Sequence, residues 1–284
     1  MNKIMENPVV RNIREATEKG LFHVKVEQGE PKFNTEEKRE IIDKYLQERE
    51  TIAYWIKNRI VTIAQNGMSL LRNVNTKYIG TENVKTLRGR GAIVTSNHFN
   101  PLENTAILRV IKKIGRRKKM YAISQVSNFK MPGTIGFLLR YANVIPISKD
   151  SIEYMCERFC DCVHKVLKKN NYILIYPEQE MWRNYRKPRP LKLGAYFYAA
   201  KINVPILPCF VEIRDERTFF GIWNTRYFVH ILPVITPDPT LDPKADAKRM
   251  SLIDYEQKKN AYERAYGRPL DYAFEVSDIA GGLR

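Results

Sequence analysis

Ala92-Ile93-Val94-Thr95-Ser96-Asn97-His98-Phe99-Asn100-Pro101-Leu102-Glu103-Asn104 decides how this chain is read. An apolar run rich in β-branched residues enters a polar turn, and a helical pattern follows. In open α/β sheets ligands bind beyond the carboxyl ends of strands, which is where His98 falls. Glu103 comes five residues later, after the chain turns back through Pro101. Looped this way, its carboxylate reaches Nδ1 of the imidazole. That contact fixes the tautomer and leaves a more basic Nε2 free to take a proton from a hydroxyl. The pair is the base and orienter of a triad, with the substrate supplying the nucleophile. The competing reading is a structural or merely exposed histidine at a strand end.

Outward from this stretch, short β-rich runs alternate with helical ones. Strands are expected over 92–96, 120–123, 144–147, 172–176, 205–211 and 227–232, and helices over 103–114, 131–141, 152–169 and 193–201. That alternation predicts an α/β fold, a largely parallel central sheet flanked by helices. Residues 1–34 lack periodicity and read as an arm or loop. A helix is expected over 35–50, with Thr35 as its cap and Glu36 and Glu37 in its first turn. Residues 51–74 form an amphipathic helical pattern that Gly67 can interrupt. This segment suits a membrane interface, with Trp55 and Tyr54 at headgroup depth, or packing on the protein's own core. Three prolines mark a loop over 236–244, and a charged helix is expected over 245–265. The expected organisation is therefore an N-terminal segment 1–74, a central domain 75–235 and a C-terminal extension 236–284.

The 284 residues carry 48 Lys+Arg against 31 Asp+Glu, a formal net charge of +17. Apolar residues at 44% and charged residues at 28% exclude a disordered or collagen-like chain. The positive excess points to an anionic partner: nucleic acid, an anionic membrane surface or a phosphorylated substrate. The first thirty residues lack the apolar core of a secretory signal, and no run of 18 apolar residues exists to span a membrane. Three of the four cysteines crowd into 156–162, a poor disulfide framework, so reduced thiols in a cytoplasmic protein are expected.

Three further segments bear on the chemistry. Tyr172-Ile173-Leu174-Ile175-Tyr176-Pro177-Glu178-Gln179-Glu180 is a second apolar strand that ends in a polar turn. Arg183, Arg186, Lys187, Arg189 and Lys192 then form a basic loop before Gly194. Such a loop beside a general base suits a phosphate-bearing substrate, although a solvated surface has the same composition. Val204-Pro205-Ile206-Leu207-Pro208 is a strand bracketed by prolines.

In order, these segments resemble the 1-acylglycerol-3-phosphate (lysophospholipid) acyltransferase family over about residues 75–235. Asn97-His98 with an acid at 103 is similar to the family's Asn-His-(four residues)-Asp block. Asn143-Val144-Ile145-Pro146-Ile147-Ser148-Lys149 is similar to the second block, which ends in Arg and helps hold the acceptor's phosphate. Tyr176-Pro177-Glu178-Gln179-Glu180-Met181 is similar to Phe-Pro-Glu-Gly-Thr-Arg, with Lys192 and Gly194 matching the Lys-x-Gly that follows. Residues 204–208 match the fourth block.

The chain also departs from the pattern. Glu103 replaces Asp, Lys149 replaces Arg and so loses the bidentate fork, Gln179 replaces Gly, and Met181 replaces Arg, with Arg183 two residues on. The resemblance implies direct acyl transfer from a thioester on coenzyme A or acyl carrier protein to an acceptor hydroxyl. His98 takes the proton, Glu103 stabilises the imidazolium, and backbone N–H groups or a nearby cation hold the oxyanion. No covalent acyl-enzyme, cofactor or metal is required. Asn97, Lys149, Pro177, Glu178, Gln179, Arg183, Lys192 and Gly194 are the implied substrate-binding residues. The default acceptor is 1-acylglycerol-3-phosphate; another lysolipid, a glycolipid or an amine are alternatives. An enzyme with a lipid product is expected to dock on the cytoplasmic face of an anionic membrane, where each basic residue contributes about 1 kcal/mol. The cluster Arg116-Arg117-Lys118-Lys119 is a candidate headgroup or acyl-carrier contact.

Two other classes compete. Basic and aromatic residues interleave around 182–186, as in nucleic-acid-binding proteins, but no nucleic-acid module is recognisable and no nucleic-acid partner is expected. Cys156, Cys160 and His164 share a helical face, but zinc needs a fourth ligand. His23, His164 and His230 receive no function, and Trp55, Trp182 and Trp223 suit either packing or interface anchoring.

Overall fold

The computed structural model describes residues 6–27, 33–131, 133–148, 150–217 and 223–281. Seven strands form one sheet: β1 (Lys77–Ile79), β2 (Ala92–Thr95), β3 (Met120–Gln125), β4 (Val144–Ile147), β5 (Tyr172–Ile175), β6 (Ile206–Arg217) and β7 (Trp223–Ile231). Their order is β1-β7-β6-β2-β5-β3-β4. The five strands from β6 to β4 are mutually parallel, β7 runs antiparallel to β6, and β1 is parallel to β7. The expected largely parallel α/β sheet is therefore present. The strand β1 carries no sequence signal, because three residues are too few to show a period.

Nine α-helices are described: α1 (Pro8–Glu18), α2 (Thr35–Glu48), α3 (Ile52–Arg72), α4 (Asn104–Ile114), α5 (Gly133–Tyr141), α6 (Ile152–Tyr154), α7 (Cys160–Lys168), α8 (Gly194–Ile202) and α9 (Pro243–Tyr266). A π-helical turn, Met155–Phe159, joins α6 to α7. Burial on both faces explains the continuous apolar runs of the parallel strands. In β2, Ala92 and Val94 face one side with Ile107, Val110 and Ile111 of α4. Ile93 faces the other, with Val163 of α7, Tyr196 and Ala199 of α8 and Met250 of α9. The alternation is that of a pleated strand.

Several expectations are corrected. Residues 8–18 are not a loop: Asn7 caps α1, Pro8 opens it, and Val10, Ile13 and Ala16 pack on Trp182, Tyr185 and Ile279. A single apolar stripe on eleven residues is too short to announce a helix, and tertiary contact stabilises it. The cap of α2 is Asn34, in a reciprocal capping box with Glu37, one residue before the expected Thr35. Gly67 does not interrupt α3.

The helix α3 lies beside α4. Ser69 Oγ donates to the Thr105 carbonyl at 2.7 Å, and Asn73 Nδ2 donates to Thr105 Oγ1 at 3.1 Å. Its opposite face bears Ile52, Trp55, Ile60, Ile63 and Leu71, all exposed. The helix α9 reaches under the carboxyl end of β2. There Asp254 Oδ2 accepts from Thr95 Oγ1 at 2.5 Å and from the Tyr196 hydroxyl at 2.6 Å, and Lys258 Nζ lies 2.5 Å from Asp254 Oδ1. All four residues are fully buried. The cluster at 116–119 precedes β3 and so lies at the amino edge of the sheet, away from the end that carries His98.

Candidate active site

The parallel pairing of β2 with β5 sets Thr95 beside Ile175. The two polar turns therefore leave the sheet side by side. In the first, Glu103 lies just before α4 and folds back under the chain. Its Oε1 meets His98 Nδ1 in a short hydrogen bond. Its Oε2 accepts the amides of Phe99 at 2.6 Å and Asn100 at 2.7 Å. The carboxylate is thus fully enclosed at a helix N-terminus, where the dipole favours its charge. His98 is partly exposed, and no described residue bonds its Nε2. A carboxylate-held imidazole with one free nitrogen at the surface is a competent general base.

The second turn clamps the first. Tyr176 stacks on the His98 ring, with centroids 4.0 Å apart and planes 7° from parallel. Glu178 Oε2 accepts the His98 amide at 3.2 Å, and the Trp182 amide donates to the His98 carbonyl at 3.0 Å. Glu178 is itself buried against Arg189, whose amide donates to Oε1 at 2.9 Å and whose Nε donates to Oε2 at 3.1 Å. Burial pulls the Arg189 guanidinium below its ordinary value, and Glu178 opposes that shift. Arg189 also lies over the Trp182 ring, 4.4 Å from its centroid.

The residues expected to touch substrate divide into two groups. Asn97 is buried, and its carboxamide spans the Val211 backbone, donating at 3.0 Å and accepting at 2.8 Å, and so ties β2 to β6. Glu178 is a brace, and Pro177 is buried, its carbonyl accepting the Lys192 amide at 2.9 Å. Arg183, Lys192 and Gly194 are exposed, and Gln179 is half-buried at the turn. Lys149 lies outside the described residues. The basic loop is largely internal: Arg186 pairs with Asp215 at 2.7 Å, Lys187 with Asp278 at 2.9 Å and Arg189 with Glu178 at 2.9 Å. Only Arg183 and Lys192 of its five cations face solvent.

Sequence reasoning missed the partners that come from far along the chain. The N-terminal segment crosses the second turn: the Phe22 carbonyl accepts Arg189 Nη1 at 2.8 Å, the Val24 carbonyl accepts Trp182 Nε1 at 3.0 Å, and His23 Nδ1 lies 3.3 Å from the Glu178 carbonyl. Burial, helped by Lys192 and Arg189, holds the His23 pKa below the ordinary histidine value. Tyr176 was visible in the sequence only as the aromatic before Pro177. Among the described residues no group of three or more His, Cys, Asp or Glu side chains is placed to hold a metal ion. Cys156 and His164 are simply exposed.

Residues 75–212 match the family model described as Acyltransferase. The fold is similar to the crystal structure of the 1-acyl-sn-glycerophosphate (LPA) acyltransferase, PlsC, from Thermotoga maritima. The TM-score is 0.52 at 16% identity, covering 95% of this chain and 100% of that one. A search of curated proteins finds no match.

Proposed function

We propose that the acyltransferase domain moves a fatty acyl chain from a coenzyme A or acyl carrier protein thioester to the hydroxyl of a lysophospholipid, as a step of phospholipid synthesis. The acceptor best supported is 1-acylglycerol-3-phosphate. The observation that carries this reading is the His98–Glu103 pair at the carboxyl end of β2, with Nε2 unengaged. His98 removes the acceptor's proton as its oxygen attacks the thioester carbonyl, and Glu103 stabilises the imidazolium that forms. The tetrahedral intermediate then expels the thiolate, which recovers the proton from His98. None of these steps draws on a metal or cofactor. Exposed Lys192 and Arg183, with Lys149, are the proposed phosphate contacts.

The same reading places the protein on an anionic, cytoplasm-facing membrane surface. No described helix is long and apolar enough to cross a bilayer. The exposed stripe of α3 suits shallow insertion instead: Ile52 and Leu71 are each 78% exposed and Trp55 62%.

The test is an acyl-transfer assay with long-chain acyl-coenzyme A and acyl carrier protein donors and a panel of lysolipids, following free thiol and acylated lipid. Transfer by the wild type, and its loss by about 10²-fold or more in His98→Ala, is the expected result. Equal transfer by both proteins overturns the role of His98.

A further inference from the structure

We infer that His23 completes a site for a phosphate monoester beside the His98–Glu103 pair, its Nε2 accepting the phosphate's remaining proton. The site is assembled from stretches far apart in the chain. Residues 22–24 lie across the turn beyond β5 and are tied to it three times. Arg189 Nη1 donates to the Phe22 carbonyl at 2.8 Å, Trp182 Nε1 donates to the Val24 carbonyl at 3.0 Å, and His23 Nδ1 lies 3.3 Å from the Glu178 carbonyl. The preceding carbonyl, that of Pro177, accepts the Lys192 amide at 2.9 Å. His23 and Lys192 are therefore anchored on consecutive residues of one turn. The side chain of the same Glu178 accepts the His98 amide at 3.2 Å, and the Trp182 amide donates to the His98 carbonyl at 3.0 Å. The His23 ring is thus fixed to the residues that brace the proposed base.

The ligand class follows from the tautomer. A carbonyl only accepts, so Nδ1 carries the proton and a neutral ring keeps its lone pair on Nε2. Among the described residues no group is hydrogen-bonded to Nε2, and the side chain is half-buried. The charged groups that face His23 are Glu178, Arg189 and Lys192. Glu178 and Arg189 neutralise each other in a buried pair at 2.9 Å. Lys192 is exposed and forms no ion pair among the described residues. The neighbourhood therefore offers one uncompensated positive charge and one proton acceptor. A carboxylate or a phosphodiester supplies the negative charge but no proton near neutral pH. A phosphate monoester, with a second pKa of about 6, supplies both. It sets one proton between its oxygen and Nε2, and its charge against Lys192. Burial, helped by Lys192 and Arg189, holds the His23 pKa below the ordinary value, which keeps the lone pair available at neutral pH. Two substrates of the proposed transfer carry such a group: 1-acylglycerol-3-phosphate, and coenzyme A at its 3′-phosphate.

The kinetic part of the test rests on the proposed acyl transfer, and the binding part does not. Calorimetry on the full chain measures the binding of a short-chain 1-acylglycerol-3-phosphate, of its phosphate methyl ester, of coenzyme A and of dephospho-coenzyme A. His23→Asn keeps a donor for the Glu178 carbonyl and removes Nε2. It is expected to weaken binding of a monoester by about tenfold or more and to leave its partner without the monoester unchanged. The KM for that substrate is expected to rise by the same factor while kcat stays within about twofold, a split that general loosening of the site would not give. His23→Lys replaces the shared proton with a fixed charge and is expected to bind the methyl ester about as tightly as the monoester. A loss confined to the lipid pair places the acceptor's phosphate at His23, and a loss confined to the coenzyme A pair places the donor's there. Equal weakening toward both members of a pair, or no weakening toward any, overturns the inference. If the wild type acylates no lysolipid, binding still decides, and only the functional proposal falls.

Discussion

The backbone amide of His98 meets the Glu178 carboxylate at 3.2 Å, and the same Oε2 atom takes Arg189 Nε at 3.1 Å. The turn that carries the candidate base is thus suspended from a buried ion pair. Glu178→Gln keeps the shape but leaves the Arg189 charge unpartnered. It is expected to lower the unfolding free energy by about 3–5 kcal/mol and to depress activity with it. The double substitution Glu178→Leu with Arg189→Met removes both charges. It should recover much of the stability in urea denaturation but not the activity, because the His98 amide still lacks its acceptor. Recovery of both would show that the pair serves stability alone.

Gln179 has a φ of 71°, in the left-handed region, and its amide donates to the Tyr176 carbonyl at 3.0 Å. A side chain there costs about 1–2 kcal/mol, which a glycine avoids at the expense of chain entropy. Gln179→Gly is expected to raise the unfolding free energy by up to about 1 kcal/mol, whereas Gln179→Ala should bring no gain. Calorimetry on the two variants checks this, and a loss of stability in Gln179→Gly would mean that the Gln179 side chain stabilises more than its backbone strains.

Because burial lowers the His23 pKa, the folded chain binds fewer protons at this site than the unfolded chain does just below the ordinary value of about 6.5. The docking of residues 19–27 is therefore fully stabilised above that value. It weakens as the pH falls from there through the folded pKa. The protection of this segment, its exchange rate compared with the intrinsic rate at each pH, should fall between neutral and mildly acidic pH in the wild type and stay level in His23→Gln. Equal protection of the wild type at both pH values would refute the linkage.

Ile63 and Leu71 of α3 are 68% and 78% exposed, so aspartate at either position should alter the unfolding free energy by no more than about 0.5 kcal/mol. Binding to vesicles containing anionic phospholipid should fall by about tenfold or more for the pair of substitutions, since each deletes a buried apolar side chain in the docked state. Undiminished binding would show that another surface meets the bilayer.

The sequence disclosed what repeats or what lies close along the chain. Strand β4 was legible residue for residue because Val144-Ile145-Pro146-Ile147 is an apolar run with polar flanks. The reach of Glu103 to His98 was legible because five residues and a proline impose the turn. Arg189 was not, since a loop cation paired with Glu178 looks the same as one facing solvent. The helix α1 was hidden for the same reason: its partners Trp182 and Ile279 are far away in sequence. The bonds of Asn97 to Val211 were not legible either, because the need of Val211 for a backbone partner shows only in three dimensions.

The floor under β2 has a consequence for synthesis. Thr95 waits for Asp254, 159 residues downstream, before its hydroxyl finds its buried acceptor. At about 5–20 residues per second, a ribosome takes roughly 8–30 seconds to deliver that partner. Throughout that interval the turn that carries His98 exists as sequence without its support. A chain truncated before α9 therefore holds every residue of the proposed reaction and still lacks the platform that carries them, so competence waits until α9 has been made.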